Sequence, residues 1–540
     1  MSYENKILDC QIIIPAVKKN VAFADDLIKK LDGVMLIQRI MDKAKELVPL
    51  AQILVITDSE EISLICERNQ IAFYYDKILK IDDHDFIGKL PKFFAEYASK
   101  ENVLVFWPYA PLVPVNEFRR AYDFFKNQDC DGVVSVKGTR HEFVLNDKGG
   151  LKTEKDDQNF FVEIKAFMLF KAARVAQKQP MQWFPYLLEE NWLEIKNYQD
   201  WWVCERLLQR KRIIFRVIGN NAMGMGHVYR ALTLAHENSK DEIIFVCEKD
   251  STDAVQKIAG HDYPIEVCAK GQIIKRIIAL KPDLVINDIL NTEAKYIKSL
   301  TKAGIKVVNF EDLGPGGESA HLVFNELFDE PLKPGAQYRW GHSYYFLRDE
   351  FIGAKKYIFR KKVQDILITF GGTDPGNLTF TVLNTVYAFC QKQKIRVHVV
   401  AGPGYEYVDV LRNFIEQNSF SGISFTNQTG VMSKVMERVD LAISSNGRTV
   451  YELAHMNIPS IIIAHHDREQ THKFACQDNG YIALGLYSKG KTEKKIIKSL
   501  HSLCADGHLR KQLWERMRPF HFLTNKLKVW REIERCLYGE

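Results

Sequence analysis

The stretch RIIFRVIGNNAMGMGHVYRALTLAHE (212–237) decides the fold. RIIFRVI is a β-branched run of strand character, VYRALTLAHE has helical spacing, and glycines separate the two. This order aims backbone N–H groups and a helix N-terminus at one point, where the helix dipole favours an anion. His227 stands at the start of the helix. A neutral imidazole there can accept a proton from water or a hydroxyl, or it can simply cap and pack.

Working outward, two strand–helix series fill the 540 residues. QIIIPA (11–16), QILVITD (52–58), NVLVFWP (102–108) and DGVVSV (131–136) are short apolar runs, separated by helical patterns such as 34–47 and 115–127. A helix over 199–212 leads into the second series. Its strands RIIFRVI, EIIFVCE (242–248), LVINDI (284–289) and KVVNFED (306–312) form one set. DILITFGG (365–372), RVHVVAG (396–402), DLAISSN (440–446) and SIIIAHH (460–466) form another, after a loop-rich middle. Strands alternating with helices imply largely parallel sheets covered on both faces. The expected units are 1–210, 211–360 and 361–540, in line with roughly 150–200 residues per domain.

An apolar fraction of 46% and a charged fraction of 26% permit sizeable cores. Lys+Arg 74 against Asp+Glu 68 leaves only +6. No Lys/Arg block interleaved with aromatics is read, so no nucleic-acid partner is expected. Ten scattered cysteines without a C-x-x-C pair argue for a reducing cytosol, against a disulfide framework and against a zinc ribbon. MSYENKILDC lacks a signal-peptide core, and no apolar run approaches the roughly 18 residues of a membrane span. The expectation is a cytoplasmic chain with no transmembrane segment.

Three further strand-end loops carry chemistry. FGGTDPGN (370–377) offers consecutive backbone donors suited to a diphosphate, although the same residues make good turns. SSNGRTVYELA (444–454) opens a helix with Glu452 one turn inside, where a carboxylate can hold ribose hydroxyls while Gly447 and Thr449 meet phosphate; the alternative is an ordinary surface acid. HHDREQTHKFA (465–475) sets Gln470 at another helix start. Its histidines lack a carboxylate-rich partner cluster, so no metal is expected there.

Taken together, GxGHxxR…LA, FGGTDP and SSNGxTxxELAxxxIP with a downstream Gln, and FLRDEF (346–351) between them, resemble the UDP-sugar hydrolase of the pseudaminic acid pathway. More distantly they resemble the glycosyltransferase that makes peptidoglycan lipid II. The resemblance covers 212 to about 490. It implies a GT-B arrangement, two Rossmann-like lobes of parallel sheet facing a cleft, with a nucleotide-sugar substrate and no cofactor. His227 would be the base. The implied nucleotide-sugar-binding set is Gly224, Gly226, Asp288, Gly371, Gly372, Thr373, Asp374, Ser445, Asn446, Gly447, Thr449, Glu452 and Gln470. Where the hydrolase has Asp-His-Tyr, this chain reads NDILN (287–291), keeping Asp288 alone.

The first 210 residues resemble the CMP-sialic acid synthetase family, through IIIPA, LDGVMLIQRIMDKA, VITDSEEI, PYAPL, FVEIKAFMLFK (161–171) and EIKNYQDWWVCE (194–205). That implies a Rossmann-like, GT-A-like cytidylyltransferase domain. The family's CTP cradle departs here. Val17, Val21 and Asp26 stand in place of an Arg and two Lys, Trp107 in place of a Gln, and Lys196 in place of a metal ligand. Two valines and an acid cannot neutralise a triphosphate, and an ammonium cannot ligate Mg²⁺. An inactive domain is expected, with Mg²⁺ required only if transferase activity survives through altered contacts such as Lys18 and Lys19.

Three functions follow from these residues. One is a UDP-sugar hydrolase in nonulosonic acid biosynthesis for surface glycans. Another is a GT-B glycosyltransferase acting on a glycan or protein acceptor, favoured by NDILN. The last is an inert binding protein, which the intact second-half loops oppose.

Overall fold

A computed structural model describes residues 6–18, 23–79, 81, 87–139, 143–145, 151–153, 160–175, 177, 180–188, 192–220, 224–418, 421–427 and 429–539. Lys19, Val21 and the loop residues Asn221, Ala222 and Met223 lie outside this set. The chain forms two compact units, Met1–Arg210 and Lys211–Glu540.

In the first unit a seven-stranded sheet runs in the order Trp183–Leu187, Gly132–Thr139, Phe160–Lys171, Asn102–Phe106, Gln11–Ala16, Ile53–Thr57, Ala72–Tyr75. The sequence reading expected this sheet to be largely parallel; it is mixed. Phe160–Lys171 pairs antiparallel with both neighbours, while the other pairings are parallel. This twelve-residue strand sits in the middle of the sheet and enters it from a chain reversal, so no crossover helix is needed on that side. Gln11–Ala16 is buried along its whole length, as a strand covered on both faces must be.

The second unit holds two wholly parallel sheets. The first is ordered Ile265–Cys268, Glu242–Glu248, Arg212–Val217, Leu284–Asp288, Lys306–Phe310, Leu322–Asn325, Tyr338–Trp340. The second is ordered Ile423–Asn427, Arg396–Ala401, Asp365–Thr369, Leu441–Ser445, Ser460–Ala464, Tyr481–Leu486. Strands such as DILIT and SIIIA are buried throughout, and each Ile or Leu taken from water contributes about 2 kcal/mol. In both sheets the order reverses beside the first strand, and the loops that leave a parallel sheet at such a point form a crevice for ligands. In the first sheet the reversal lies between Arg212–Val217 and Leu284–Asp288, whose last residues Val217 and Asp288 are paired. In the second it lies between Asp365–Thr369 and Leu441–Ser445, where Thr369 pairs with Ser444.

The final helix, Asn525–Tyr538, follows the second sheet in sequence but packs on the first. Val529, Trp530 and Ile533 join the core beneath Arg212–Val217, and the Trp530 indole donates to the Leu234 carbonyl at 2.9 Å. Between the lobes runs KKYIFRKK (355–362), five cations with two aromatics inside. This connector is a basic block interleaved with aromatics, contrary to the expectation that the chain holds none. Among the described residues no helix is long and apolar enough to cross a membrane.

Candidate active site

The loops at the two reversal points meet across a cavity of about 670 Å³ between the lobes. From the first lobe come Gly224, Gly226 and Arg230; from the second come Gly371 to Asp374, Ser445, Gly447, Thr449 and Glu452. Gly224 and Gly371 adopt φ of +74° and +83°, values that side chains resist. A Cβ on Gly372 would lie 3.6 Å from the Gly224 Cα, so the two glycine loops nearly touch. Behind them Gly402 packs on Gly372 so tightly that a Cβ would sit 2.4 Å from its Cα.

His227 lies in the first turn of the helix Gly226–His236 and is 8% exposed; it does not itself line the cavity, although Gly226 before it and Tyr229 and Arg230 after it do. Its Nδ1 is 2.6 Å from Asp288 Oδ1. The Asp288 carboxyl is buried, which alone would raise its pKa; Arg230 and His227 outweigh burial and hold it below the usual carboxylate range. An ionised Asp288 accepts, so Nδ1 carries a hydrogen, and in the neutral ring Nε2 is then the nitrogen with the free lone pair. Nε2 makes no hydrogen bond among the described residues.

Arg230 fixes the acid. It lies one helical turn after His227, on the same face. Its Nε donates to Asp288 Oδ2 at 2.6 Å and its Nη2 to Oδ1, a bidentate clamp. Its Nη1 donates to Glu311 Oε1 at 2.6 Å and also to Glu326. Arg448, from the second lobe, donates to the same two acids, at 3.1 Å to Glu311 and 2.7 Å to Glu326. Glu311 directly follows the strand Lys306–Phe310 in a left-handed conformation, φ +52°, which a non-glycine residue holds only under tertiary constraint. Burial would raise its carboxyl, but Arg230, His227 and Arg448 drive it far below the ordinary range. The cluster sets three carboxyl groups against two guanidiniums.

The remaining residues singled out from sequence divide into those that reach the cavity and those that brace it. Glu452 lines it, with Oε1 accepting from Arg348 at 3.1 Å; Arg348 belongs to FLRDEF. Thr373, Ser445, Gly447 and Thr449 also line it. Asp374 borders the cavity, but its oxygens accept from the Leu378 and Thr379 amides at 2.9 and 2.7 Å and so cap the next helix. Three of the expected ligands are corrected. Asp288 is buried, with its oxygens held by His227 and Arg230, and does not line the cavity. Asn446 turns away and donates to the Glu469 and His472 carbonyls at 2.7 and 2.9 Å, tying two loops together. Gln470 is exposed and does not line the cavity; Glu469, one residue earlier, does. A four-residue helix, Asp467–Gln470, turns one face inward, and the glutamine falls on the other. Arg230, Glu311, Glu326, Arg348 and Arg448 were missed. Arg230 was legible as the i+3 neighbour of His227, and Glu311 as the first of the two acids that close KVVNFED.

No family model matches the chain. It is 34% identical over 265 residues to an uncharacterized protein of Methanocaldococcus jannaschii, covering 45% of this chain and 54% of that one. The chain thus spans about half the length of that relative. It is 25% identical over 318 residues to the spore coat polysaccharide biosynthesis protein SpsG of Bacillus subtilis, covering 56% of this chain and 91% of SpsG. With the UDP-2,4-diacetamido-2,4,6-trideoxy-beta-L-altropyranose hydrolase of Campylobacter jejuni it shares 29% identity over 180 residues, 32% of this chain and 64% of the hydrolase. Among solved structures, MurG of Acinetobacter baumannii superposes with a TM-score of 0.44 at 15% identity, over 60% of this chain and 99% of MurG. HepE of Anabaena, bound to UDP and glucose, gives 0.42 at 13%, over 60% and 100%. Two parallel-sheet lobes around one cavity fit the GT-B arrangement.

Proposed function

We propose that Lys211–Glu540 is a UDP-sugar hydrolase of glycan biosynthesis, acting on a precursor of a nonulosonic acid, with His227 as general base. The observation that carries this is the Asp288–His227 pair beside two facing glycine loops. The loops from Gly371 to Asp374 and from Ser445 to Thr449 would take the diphosphate on backbone donors, and Glu452 the ribose. Water would attack the anomeric carbon as its proton passes to Nε2. The bond from that carbon to the diphosphate oxygen breaks, and UDP leaves with the electron pair. The imidazolium so formed rests against Asp288, in a cluster with one more carboxyl than guanidinium groups, which favours the added positive charge.

One observation favours transfer to a sugar hydroxyl instead: Ile289 and Leu290 stand where the hydrolase carries His and Tyr. UDP release measured with and without acceptor separates the two. Release without acceptor that disappears in His227→Ala supports hydrolysis; release only with acceptor supports transfer.

The Met1–Arg210 unit we read as a cytidylyltransferase-like domain without catalysis. Lys18, the described lysine that could replace the lost cations, is paired with Asp25 at 3.1 Å and with Glu61, and its amide donates to Asp58. Lys196, which stands in place of a metal ligand, holds its ammonium 3.4 Å from Glu194. Absence of pyrophosphate from CTP plus a nonulosonic acid and Mg²⁺ is expected; its production would overturn this reading.

A further inference from the structure

The connector KKYIFRKK lies against a second groove, at the opposite end of the second sheet from the cavity. It is lined by Lys355 to Arg360 together with Arg396, His398 and Arg438 and the acids Asp365 and Glu437. Strand Asp365–Thr369 runs from this groove to the cavity, five residues or about 13 Å at the usual rise. Several charges in the groove are internally balanced: Arg396 and His398 pair with Asp365, and Arg360 with Asp440. Lys356 contacts the Phe520 carbonyl and His521. Glu437 accepts from the Lys355 amide. Among the described residues, Lys355, Lys361, Lys362 and Arg438 make no ion pair.

The apolar side chains of the connector divide by direction. Tyr357 is buried, and Phe359 packs at a tilt against Trp514, ring centres 6.0 Å apart, with the Arg510 guanidinium over its ring. Ile358 between them is 80% exposed, and Ile352, three residues before the connector, is 60% exposed. A surface for single-stranded nucleic acid presents aromatic faces on which bases stack. Here the aromatics are turned in and an aliphatic residue is turned out among lysines. That combination fits a bilayer surface: cations at the phosphate level, an isoleucine among the acyl carbons.

We propose that residues 352–362, with Arg438, form a docking surface for anionic phospholipid headgroups, and that Ile358 inserts below them. The surface would hold the second lobe on a membrane while the cavity, a sheet-length away, stays accessible. The full chain is sedimented with vesicles of phosphatidylcholine alone and of phosphatidylcholine with phosphatidylglycerol, at about 0.15 M salt. Binding to the anionic vesicles only is expected. Lys361→Glu/Lys362→Glu should weaken it about tenfold or more, and Ile358→Ser about tenfold, with unchanged melting curves. Indifference of the parent protein to phosphatidylglycerol, or parent-like binding by both variants, overturns the proposal. So does tighter binding of single-stranded DNA that ignores Ile358→Ser, which would identify a nucleic-acid surface.

Discussion

Arg448, in the second lobe, lies 2.7 Å from Glu326, in the first, and is the arginine that closes the acid cluster from across the cleft. Its guanidinium also stacks on Tyr345, 4.9 Å from the ring centre, and its carbonyl accepts from the Tyr345 hydroxyl at 3.2 Å. Arg448→Ala would leave Glu311 and Glu326 sharing Arg230 alone. A loss of about 1–3 kcal/mol of stability is expected, below the figure for a wholly buried pair because the side chain is 23% exposed. Arg448→Lys should recover less than half, since an ammonium cannot repeat the planar fork. Chemical denaturation of the three proteins measures both.

Acid sensitivity follows from the same cluster. Asp288 and Glu311 titrate below their ordinary values of 3.8 and 4.5 in the folded state. The unfolded chain therefore binds more protons as pH falls past about 4.5, and the stability these groups contribute at neutral pH is lost through and below that point. Melting temperature followed from pH 7 to pH 3 should fall steeply at the acid end. Glu311→Gln should be less stable at pH 7 and show a shallower fall.

Asp288→Asn keeps the shape of the pair but removes its charge, so Nδ1 is no longer held as a donor. A decrease in UDP release of about 10²–10⁴-fold is expected, carried by kcat rather than KM. Steady-state kinetics over a range of substrate concentrations distinguishes the two.

Steric limits differ between two neighbouring glycines. A Cβ on Gly402 would meet Gly372 backbone at 2.4 Å, whereas one on Gly372 would lie 3.6 Å from Gly224. Gly402→Ala should cost about 1–3 kcal/mol and displace the diphosphate loop; Gly372→Ala should leave the melting temperature nearly unchanged. Gln470→Ala should leave both stability and UDP release within about twofold, as suits an exposed surface residue.

The strands of the second unit were legible because both-sided burial writes itself as unbroken apolar runs such as DILIT and SIIIA. The loops were legible because glycine is needed where backbones approach a ligand or each other. What sequence could not supply was the partner of each charge. Nothing in KVVNFED or in the sequence around Glu326 says that a guanidinium from 122 residues further along will reach them. The antiparallel Phe160–Lys171 strand was equally hidden, since an apolar run carries no mark of its direction. The last helix lacked any signal for which lobe it would cover.

The central claim is that the imidazole held by Asp288 takes the proton from the attacking water. Single-turnover UDP release by His227→Ala, alongside UDP affinity by calorimetry, tests it most directly. The account requires release to fall about 10²–10⁴-fold while UDP affinity stays within about threefold. Release within about threefold of the parent enzyme, with affinity intact, would contradict it.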